Sequence, residues 1–515
     1  MSLTENNMKV LEQLPKGYHA VFAEFVKMCE IPHGSGNRAG ITSHLKKWAE
    51  EHKFEVVVDE IDNVLIRVPA TPGCESTPGI CLQGHTDMVC VKSPEVVHDF
   101  HKDPLKLRIE DGWLKATGTT LGADNGVGIA MGMAAALDKN LKHGPIELLF
   151  TSDEEIGLIG ASALKTCLKS KYLLNLDSED FGDITISCAG GFRVTFEKEF
   201  QRSALEEAYK VYEVHVHGYL GGHSGVEINL HRANAIKQLA KVINQFPAKA
   251  EARIISMVGG TAHNAIPAFC KATFALKTCS GCACQAGCNP ENKIKDLFAL
   301  IHEAFKSEKA SIDVKQIETK EQAFSAADSK NIINTLINMP HGPLRVSQDV
   351  KDFVETSFAT TVLETRGNVM HILGSGRSCH EQELDYLYQQ CVALAQLAGW
   401  TASEQLARYA GWPAKMDSPL IAITESATKK FSDHVKICAI HAGLEAGMIC
   451  KCHPGMDAIS IGPTILSPHS PQERCLIDTV GKCYEIRPLL CDKPSYINFT
   501  ILETSIKRLN FALFL

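Results

Sequence analysis

Short apolar runs followed at once by polar residues recur in the first part of the chain. Three of them lie at residues 79–84, 147–152 and 172–176. Runs of this length predict buried strands, whereas the apolar stretch that begins at Val127 is typical of a helix. In open α/β sheets, ligands bind beyond the carboxyl ends of the strands. The pattern therefore predicts an α/β domain whose site lies where these runs end.

The polar residues at these strand ends are candidates for metal chemistry. His85, Glu155 and Asp177 follow the three runs, and Asp124 stands just before the predicted helix. An imidazole with several carboxylates suits zinc, and a site rich in carboxylates also admits manganese or cobalt. Taken singly, each residue has an ordinary interpretation as a core histidine or a turn acid. Their joint occurrence in one α/β stretch favours a metal site.

Two further acids, Glu154 and Asp87, stand at positions in the sequence that suit roles in support of the metal ligands. Glu154 and Glu155 are neighbours, and adjacent side chains in extended backbone point to opposite sides. One of them can therefore hold a metal while the other takes a proton from an activated water. Asp87 follows His85 by two residues, which is a suitable offset for bonding the free ring nitrogen of a ligand histidine.

A different pattern occupies the middle of the chain. Residues 210–216 have a strand pattern and residues 234–240 have a helical one, and both lie after the strand-end acids of the first part. The simplest arrangement is an α/β catalytic domain that is split by an inserted α+β lid domain. The predicted limits are 1–190 for the first catalytic part, 191–384 for the lid and 385–515 for the second catalytic part, with an atypical tail from about 483.

Composition and charge favour an ordinary globular protein over a nucleic-acid-binding or membrane protein. The chain has 515 residues, of which 45% are hydrophobic and 22% charged, as in ordinary globular proteins. A formal net charge of −8 argues against nucleic-acid binding, and no apolar run reaches the ~18 residues of a membrane span. The first residues lack the basic end and apolar core of a signal peptide. Because 19 cysteines stand without a repeating frame, reduced thiols and a cytoplasmic location are expected.

A series of short motifs along the chain carries a family resemblance. The motifs are QGHTDMV (83–89), LGADNG (121–126), TSDEEIG (151–157), LDSE (176–179), GGHSG (221–225), HNAIP (263–267), IHAGLE (440–445), SIGPT (460–464) and PHSP (468–471). In this order they resemble the dinuclear-zinc dipeptidases of the aminoacyl-histidine dipeptidase (cytosol non-specific dipeptidase) family. The resemblance extends to about Lys482, and it implies a split catalytic α/β domain with a dinuclear metal site and an inserted lid/dimerisation domain.

Position by position, the resemblance implies roles for the candidate metal ligands. His85 and Asp177 bind one metal ion. Glu155 and His469 bind the second ion. Asp124 bridges the two. The implied cofactors are two Zn²⁺ ions, for which Mn²⁺ or Co²⁺ can substitute.

The resemblance also implies the residues that act on the substrate. Asp87 orients a ligand histidine, and Glu154 is the general base. The residues that face the substrate, stabilising the oxyanion or holding the peptide carboxylate, are His223, Asn264, Arg377 and Gly443. An arginine guanidinium binds a carboxylate through two parallel hydrogen bonds. A site with Arg377 therefore favours a peptide whose C-terminal carboxylate lies close to the scissile bond.

The activity that the resemblance implies is metal-dependent hydrolysis of Xaa-His and other unmodified dipeptides. It also implies a homodimer formed through the lid, in which His223 completes the partner's site. One alternative is an N-acyl amino acid amidohydrolase with the same metals and a different pocket. Another is an inactive binding scaffold, which is disfavoured because all five ligands and Glu154 are present.

Two groups of residues have ambiguous interpretations. The first could hold an accessory zinc or form a reduced surface loop, and it consists of Cys279, Cys282, Cys284 and Cys288. The second consists of His215, His217 and His231. Because these histidines lie near His223 they suggest a further metal, but their alternation favours a solvated sheet face.

Overall fold

The computed structural model describes residues 3–277 and 289–491, with side chains up to residue 486. Within these residues the α-helices are α1 (Glu5–Gln13), α2 (His19–Met28), α3 (Ala39–Glu51), α4 (Ala123–Leu137), α5 (Ile159–Ser162), α6 (Ala235–Asn244), α7 (Pro290–His302), α8 (Ala326–Asn338), α9 (Glu381–Ala398), α10 (Pro419–Thr428), α11 (Glu445–Cys452) and α12 (Ile477–Cys491). No helix in this part of the chain has both the length and the apolar content needed to cross a membrane.

The strands are short and numerous. In chain order they are β1 (Glu55–Val58), β2 (Val64–Val68), β3 (Ile80–His85), β4 (Leu107–Glu110), β5 (Trp113–Ala116), β6 (Ile146–Thr151), β7 (Tyr172–Asn175), β8 (Asp183–Cys188), β9 (Gly190–Glu199), β10 (Arg202–Ser203), β11 (Tyr209–His217), β12 (Gly222–His223), β13 (Arg253–Gly259), β14 (Ala265–Ile266), β15 (Cys270–Lys277), β16 (Ser311–Ile317), β17 (Ala323–Phe324), β18 (Gly342–Val346), β19 (Val354–Arg366), β20 (Val369–Ser378), β21 (Thr401–Ala402), β22 (Leu406–Tyr409), β23 (Lys436–Ile440), β24 (Asp457–Ser460), β25 (Ile465–Leu466) and β26 (Arg474–Leu476).

The chain folds into two compact units. The described residues of the first unit are 3–187, 412–439 and 444–491, and those of the second are 188–277, 289–411 and 440–443. The predicted α/β class with an inserted unit is confirmed. The predicted domain limits at residues 190 and 384 remain predictions. The second compact unit continues to residue 411 because β21 and β22 pair with β9.

The first unit is built on an eight-stranded sheet of order β1-β2-β6-β3-β7-β24-β8-β23. The four central strands β6, β3, β7 and β24 are parallel to their neighbours within this group. Every residue of β3 and of β6 is buried. Parallel strands covered on both faces require such continuous apolar runs, which is why they stand out in the sequence.

Helix α4 lies close against this sheet. It packs on β3 and α2, and its glycines permit the close approach. A Cβ atom added at Gly128 would lie 2.6 Å from the carbonyl oxygen of Leu176. At the start of the helix Gly122 has a φ of +68°, a left-handed conformation that favours glycine. The helix therefore begins beside the carboxyl ends of the central strands.

The second unit contains a ten-stranded sheet in which β16, β11, β15, β13, β19, β20, β9 and β21 follow one another. The predicted strand at 210–216 is β11, and the predicted helix at 234–240 is α6. Alternate residues of β11, Tyr212, Val214 and Val216, are buried in the core with residues of the helices. Helix α6 begins after Asn234, whose side chain accepts hydrogen bonds from two backbone N–H groups, as N-cap residues do.

Two segments of the chain lie wholly or partly outside the described residues. The four cysteines of the predicted cluster, Cys279, Cys282, Cys284 and Cys288, lie outside the described residues. The atypical tail begins within α12, and its residues beyond 491 are also outside the described part.

Candidate metal centre

The ends of β3 and β7 place two candidate ligands side by side. His85 is the last residue of β3, and Asp177 follows β7 by two residues. The strands are parallel, with Gln83 opposite Asn175. The Nε2 atom of His85 lies 3.3 Å from Oδ1 of Asp177, so the register of the two strands brings the predicted pair together.

Asp124 lies between two imidazoles. Its Oδ1 atom is 3.0 Å from Nε2 of His85. Its Oδ2 atom is 3.2 Å from Nε2 of His469. His469 stands in the loop between β25 and β26 and is also 3.0 Å from Oε2 of Glu155. One carboxylate is thus shared by two clusters of potential ligands.

The donor atoms fit a pair of divalent cations. They form one group of His85, Asp124 and Asp177 and another of Asp124, Glu155 and His469, each within 4.8 Å. The buried Oε1 atom of Glu155 has no hydrogen-bond partner in the described part of the chain, and leaving such an atom unpaired is unfavourable. Imidazoles combined with carboxylates are ligands of zinc-like ions. The residues therefore fit a dinuclear cofactor.

Electrostatics in the cluster also favour cations. Hydrogen bonds to Asp124 and Glu155 raise the pKa of His469 to about 11. Burial lowers the pKa of His85, but the carboxylates of Asp177 and Asp124 outweigh burial and hold that pKa well above its usual value. An excess of carboxylates that stabilises imidazolium in this way would also stabilise a metal ion in its place.

Asp87 supports both the histidine and the acidic turn. Its backbone carbonyl lies 3.0 Å from Nδ1 of His85, so this nitrogen donates, and Nε2 is the ring atom that would bind a cation held among the acids. The Asp87 carboxylate is 3.6 Å from the same Nδ1 atom. It accepts hydrogen bonds from the Glu154 backbone N–H (2.9 Å) and the Ser35 hydroxyl (2.7 Å). Asp87 therefore ties His85, a candidate ligand, to the loop that carries Glu154.

The three acids at the end of β6 have different surroundings. Asp153 has a φ of +51°, and its carboxylate accepts the backbone N–H of Gly36 at 2.7 Å, so it shapes the turn. Glu155 contacts His469. Burial raises the pKa of Glu154 well above its usual value, and the nearby acids Asp177 and Glu445 add to this effect. Glu154 therefore holds a proton more readily than an exposed glutamate does.

The second unit gathers the predicted substrate-facing residues. Strands β12 and β14 pair His223 with Ala265, which brings the segment of Asn264 beside that of His223. Arg377 is on β20, is only 7% exposed and donates to the Tyr409 hydroxyl at 2.7 Å. Gly443 belongs to the short segment 440–443 of this unit.

Several of these groups act on each other electrostatically. Burial lowers the pKa of His223, and the Arg377 guanidinium lowers it further. Burial likewise lowers the pKa of His441 to about 3. The ring of His441 is held by the Ser357 hydroxyl at 2.7 Å. Neutral imidazoles beside a buried guanidinium form a group suited to bind an anion.

Comparison with known proteins decides the family. The family model described as peptidase family M20/M25/M40 matches residues 81–487. Over 465 residues the chain is 36% identical to the cytosol non-specific dipeptidase of Escherichia coli (strain K12), covering 89% of this chain and 94% of that protein. The chain belongs to peptidase family M20/M25/M40. This M20 peptidase is also similar to the crystal structure of the aminoacylhistidine dipeptidase from Vibrio alginolyticus, with a TM-score of 0.85, 35% identity, and coverage of 93% of this chain and 97% of that one.

M20 peptidases are metal-dependent, and the clusters around Asp124 agree with this property. In this M20 peptidase a residue that sequence reasoning missed links the two halves of the site. The Glu473 carboxylate accepts the backbone N–H groups of Leu121 (2.6 Å) and Ala123 (2.8 Å). Glu473 stands four residues after His469, so it joins the loop of that histidine to the loop of Asp124. A single buried glutamate has no sequence pattern that would reveal such a contact.

A buried polar network under the ligands was also missed. The Glu445 carboxylate accepts hydrogen bonds from Gln83 (2.5 Å) and Thr151 (2.6 Å), and Gln83 accepts one from Asn175 (2.6 Å). All four side chains are fully buried. Gln83 and Asn175 each stand two residues before a candidate ligand, and the strand period of two puts them on that residue's side of the sheet. Their spacing from His85 and Asp177 was the available signal.

Proposed function

We propose that this M20 peptidase is a dipeptidase that hydrolyses unmodified dipeptides, including Xaa-His dipeptides. The observation that carries the proposal is the Asp124 carboxylate, whose two oxygens face the imidazoles of His85 and His469. The two relatives described above are both named dipeptidases. Their names favour a dipeptide over an N-acyl amino acid as substrate. Assays on matched dipeptides and N-acetyl amino acids test this choice directly, and faster cleavage of the acetylated compounds would refute it.

The proposed cofactors are two Zn²⁺ ions, for which Mn²⁺ or Co²⁺ can substitute. His85 and Asp177 would hold one ion, Glu155 and His469 the other, and Asp124 would bridge them. The mixed nitrogen and oxygen donors support zinc, and the high carboxylate content supports the substitutes. When bound, two such ions supply Lewis acidity toward the peptide carbonyl and make an attacking water more acidic.

Glu154 is the proposed general base. Its carboxylate would take the proton of the attacking water and deliver it to the nitrogen of the leaving amine. Such a group must hold a proton for part of the reaction. Burial favours the protonated form of Glu154, while bound cations act in the opposite direction. Asp87 is proposed to keep Glu154 in place through the 2.9 Å hydrogen bond to its backbone N–H.

His223 is the proposed donor to the oxyanion of the scissile carbonyl. Its Nδ1 atom accepts the backbone N–H groups of Gly225 (3.2 Å) and Val226 (3.0 Å). In a neutral ring the proton therefore resides on Nε2, which can donate. A preorganised donor of this kind lowers the barrier because it needs no reorientation during the reaction. Asn264 and Gly443 are proposed to contact the same substrate.

Arg377 is the proposed partner of the substrate's terminal carboxylate. Tyr409 holds one guanidinium nitrogen at 2.7 Å, and the buried Nε atom of Arg377 has no hydrogen-bond partner among the described residues. The N–H at that atom, with those at the terminal nitrogens, can form the bidentate contact that carboxylates prefer.

A C-terminal amide should therefore make a poor substrate. Amidation removes the charge that Arg377 meets, and a charge-assisted hydrogen bond is worth about 1.5–3 kcal/mol. We expect kcat/KM for an amidated dipeptide to be about 10- to 100-fold lower than for the free dipeptide. The measurement is a comparison of the two substrates with the wild type and with Arg377→Gln.

The Arg377→Gln variant should lose activity on the free dipeptide and change little on the amide. Arg366→Gln is a matched control, because Arg366 is an exposed arginine of the same unit that pairs with Glu364. It should leave both rates unchanged. Equal rates on free and amidated dipeptides with the wild type would contradict the assignment of Arg377.

A homodimer formed through the second unit is the proposed assembly. The ten-stranded sheet ends at β16, and an outermost strand can pair with its own copy across a two-fold axis. In such a dimer we propose that His223 serves the active site of the partner subunit. The proposal rests on the family resemblance of the segment 221–225.

Mixing two inactive variants tests this shared site. Under subunit exchange, His223→Ala and Glu154→Gln chains form a heterodimer with one doubly defective site and one intact site. Its activity should reach about half that of a wild-type dimer. Each variant mixed with itself is the control. If exchange is verified by mass and no activity returns, His223 acts within its own chain, and a monomer in ultracentrifugation would refute the dimer.

The cytoplasm is the proposed location, and dipeptides are the proposed binding partners, with no role for nucleic acid or membranes. The cysteines that the structure describes form no disulfide, which supports a reducing compartment. The acidic net charge of −8 supports the absence of nucleic-acid binding.

A further inference from the structure

His215 and His217 share one face of strand β11. Their neighbours Val214 and Val216 are buried in the core of the second unit, so the strand period of two directs both histidines to the opposite face. Residues two apart on a strand are separated by about 6.8 Å along the strand. The imidazole centroids are only 4.8 Å apart. The two rings therefore lean toward each other.

Asp313 on the neighbouring strand completes the group. It lies directly opposite His215 in the antiparallel register of β11 and β16. Its Oδ2 atom is 3.0 Å from Nε2 of His217. One potential ligand atom from each of the three side chains lies within 4.8 Å of the others. Two imidazoles and a carboxylate thus converge on one point above the sheet.

The distances among the three donor atoms are close to those in a zinc site with three protein ligands. Bonds of about 2.1 Å in a tetrahedral arrangement place donor atoms about 3.4 Å apart. The observed His217–Asp313 separation is slightly shorter than this, and the other separations do not exceed 4.8 Å. Rotation of side chains alone can close the remaining difference, because the strand pairing already fixes the backbone.

The surroundings leave the three groups available to a cation. Lys271 lies opposite His215 on β15, but its ammonium group is paired with the Glu213 carboxylate at 3.0 Å. Lys315 on β16 stands opposite Glu213 and not opposite either histidine. Burial, followed by the neighbouring His217, lowers the pKa of His215 and so favours its neutral form. A neutral imidazole is the form that binds metal.

We propose that His215, His217 and Asp313 form a second kind of metal site, which takes a zinc-class divalent cation in the inserted unit. The mixed N₂O donor set selects Zn²⁺, Cu²⁺ or Ni²⁺ over Mg²⁺ or Ca²⁺. Three protein ligands leave a fourth position for water. Because Asp313 is on the outermost strand of the sheet, the ion ties β16 to β11 and stabilises that edge.

Equilibrium dialysis of the full-length protein against buffered Zn²⁺, followed by elemental analysis, tests the proposal. The wild type should bind one more equivalent of zinc per chain than the variant His215→Ala/His217→Ala. The difference between the two proteins is informative whatever number of ions the catalytic cluster holds. Dipeptide hydrolysis should be unchanged in the double variant, since neither residue belongs to the catalytic machinery.

Two further variants test the third ligand and provide a control histidine. Asp313→Asn keeps the shape of the side chain but removes its charge, and loss of this ligand should weaken binding of the extra ion by at least about tenfold. His231→Ala removes an exposed histidine of the same unit and should retain the extra equivalent. Hydrogen exchange in β16 should slow on adding Zn²⁺ to the wild type but not to the double variant. Equal zinc content in the wild type and the double variant would overturn the proposal.

Discussion

Replacing Glu154 with glutamine is expected to lower the turnover of dipeptides by about 10²- to 10⁴-fold, the usual worth of a general base. Glutamine keeps the size and polarity of the side chain but cannot accept the proton of the attacking water. The fold should survive, because the contact that holds this residue is made by its backbone N–H to Asp87. The measurement pairs steady-state rates with metal content, and the metal content should remain that of the wild type.

Replacing the neighbouring residue, Glu155→Gln, distinguishes the role of a metal ligand from that of the general base. Glu155 contacts His469 at 3.0 Å and has a second, buried oxygen without a partner among the described residues. Its replacement should therefore release one metal ion as well as activity. Glu60→Gln, which alters an exposed glutamate of the same unit, should change neither quantity. If Glu154→Gln loses an ion and Glu155→Gln keeps both, the two roles are reversed.

The part of the site that lies on the parallel strands could be predicted from the sequence. Buried parallel strands read as continuous apolar runs, so the points where they end are visible. His85 and Asp177 stand at two such ends, and the structure places them 3.3 Å apart. Asp124 stands in the first turn of the glycine-rich helix α4, which packs on β3. These three residues follow from local patterns together with one rule about where α/β sheets bind ligands.

The rest of the site depends on contacts that no local pattern encodes. His469 joins Asp124 across 345 positions of the chain, and only the family resemblance pointed to it. Glu473 and Glu445 are buried carboxylates whose partners are backbone N–H groups and distant polar side chains. Whether such an acid is solvated or buried is decided by tertiary packing, which sequence periodicity does not report.

His215 and His217 of β11 are a second example of a contact that the local sequence pattern does not reveal. Their alternation predicts one face of a strand and favours a solvated surface, and His215 and His217 do share one face of β11. The cross-strand register that sets Asp313 opposite His215 was not visible. Pairing between β11 and β16 joins residues about one hundred positions apart in the chain, and a shift of one residue would have turned Asp313 to the other face.

Removal of metal should abolish dipeptide hydrolysis altogether. Without cations, the carboxylates of the cluster draw protons onto His85 and His469, and the site holds no Lewis acid that could activate water or polarise the peptide carbonyl. We expect dialysis against a chelator to leave only background rates. Zn²⁺, Mn²⁺ or Co²⁺ added back should restore activity. A matched addition of Mg²⁺ is the control, because Mg²⁺ prefers an octahedral shell of oxygen ligands and should restore little.

The most direct test of the dinuclear site is anomalous diffraction at the zinc absorption edge, from crystals of protein that has been shown to be active. We predict two peaks in the first unit. One should lie among His85, Asp124 and Asp177, and the other among Asp124, Glu155 and His469. A single peak at this position, or none in a preparation that hydrolyses dipeptides at full rate, would contradict the shared role of Asp124 and with it the proposed mechanism.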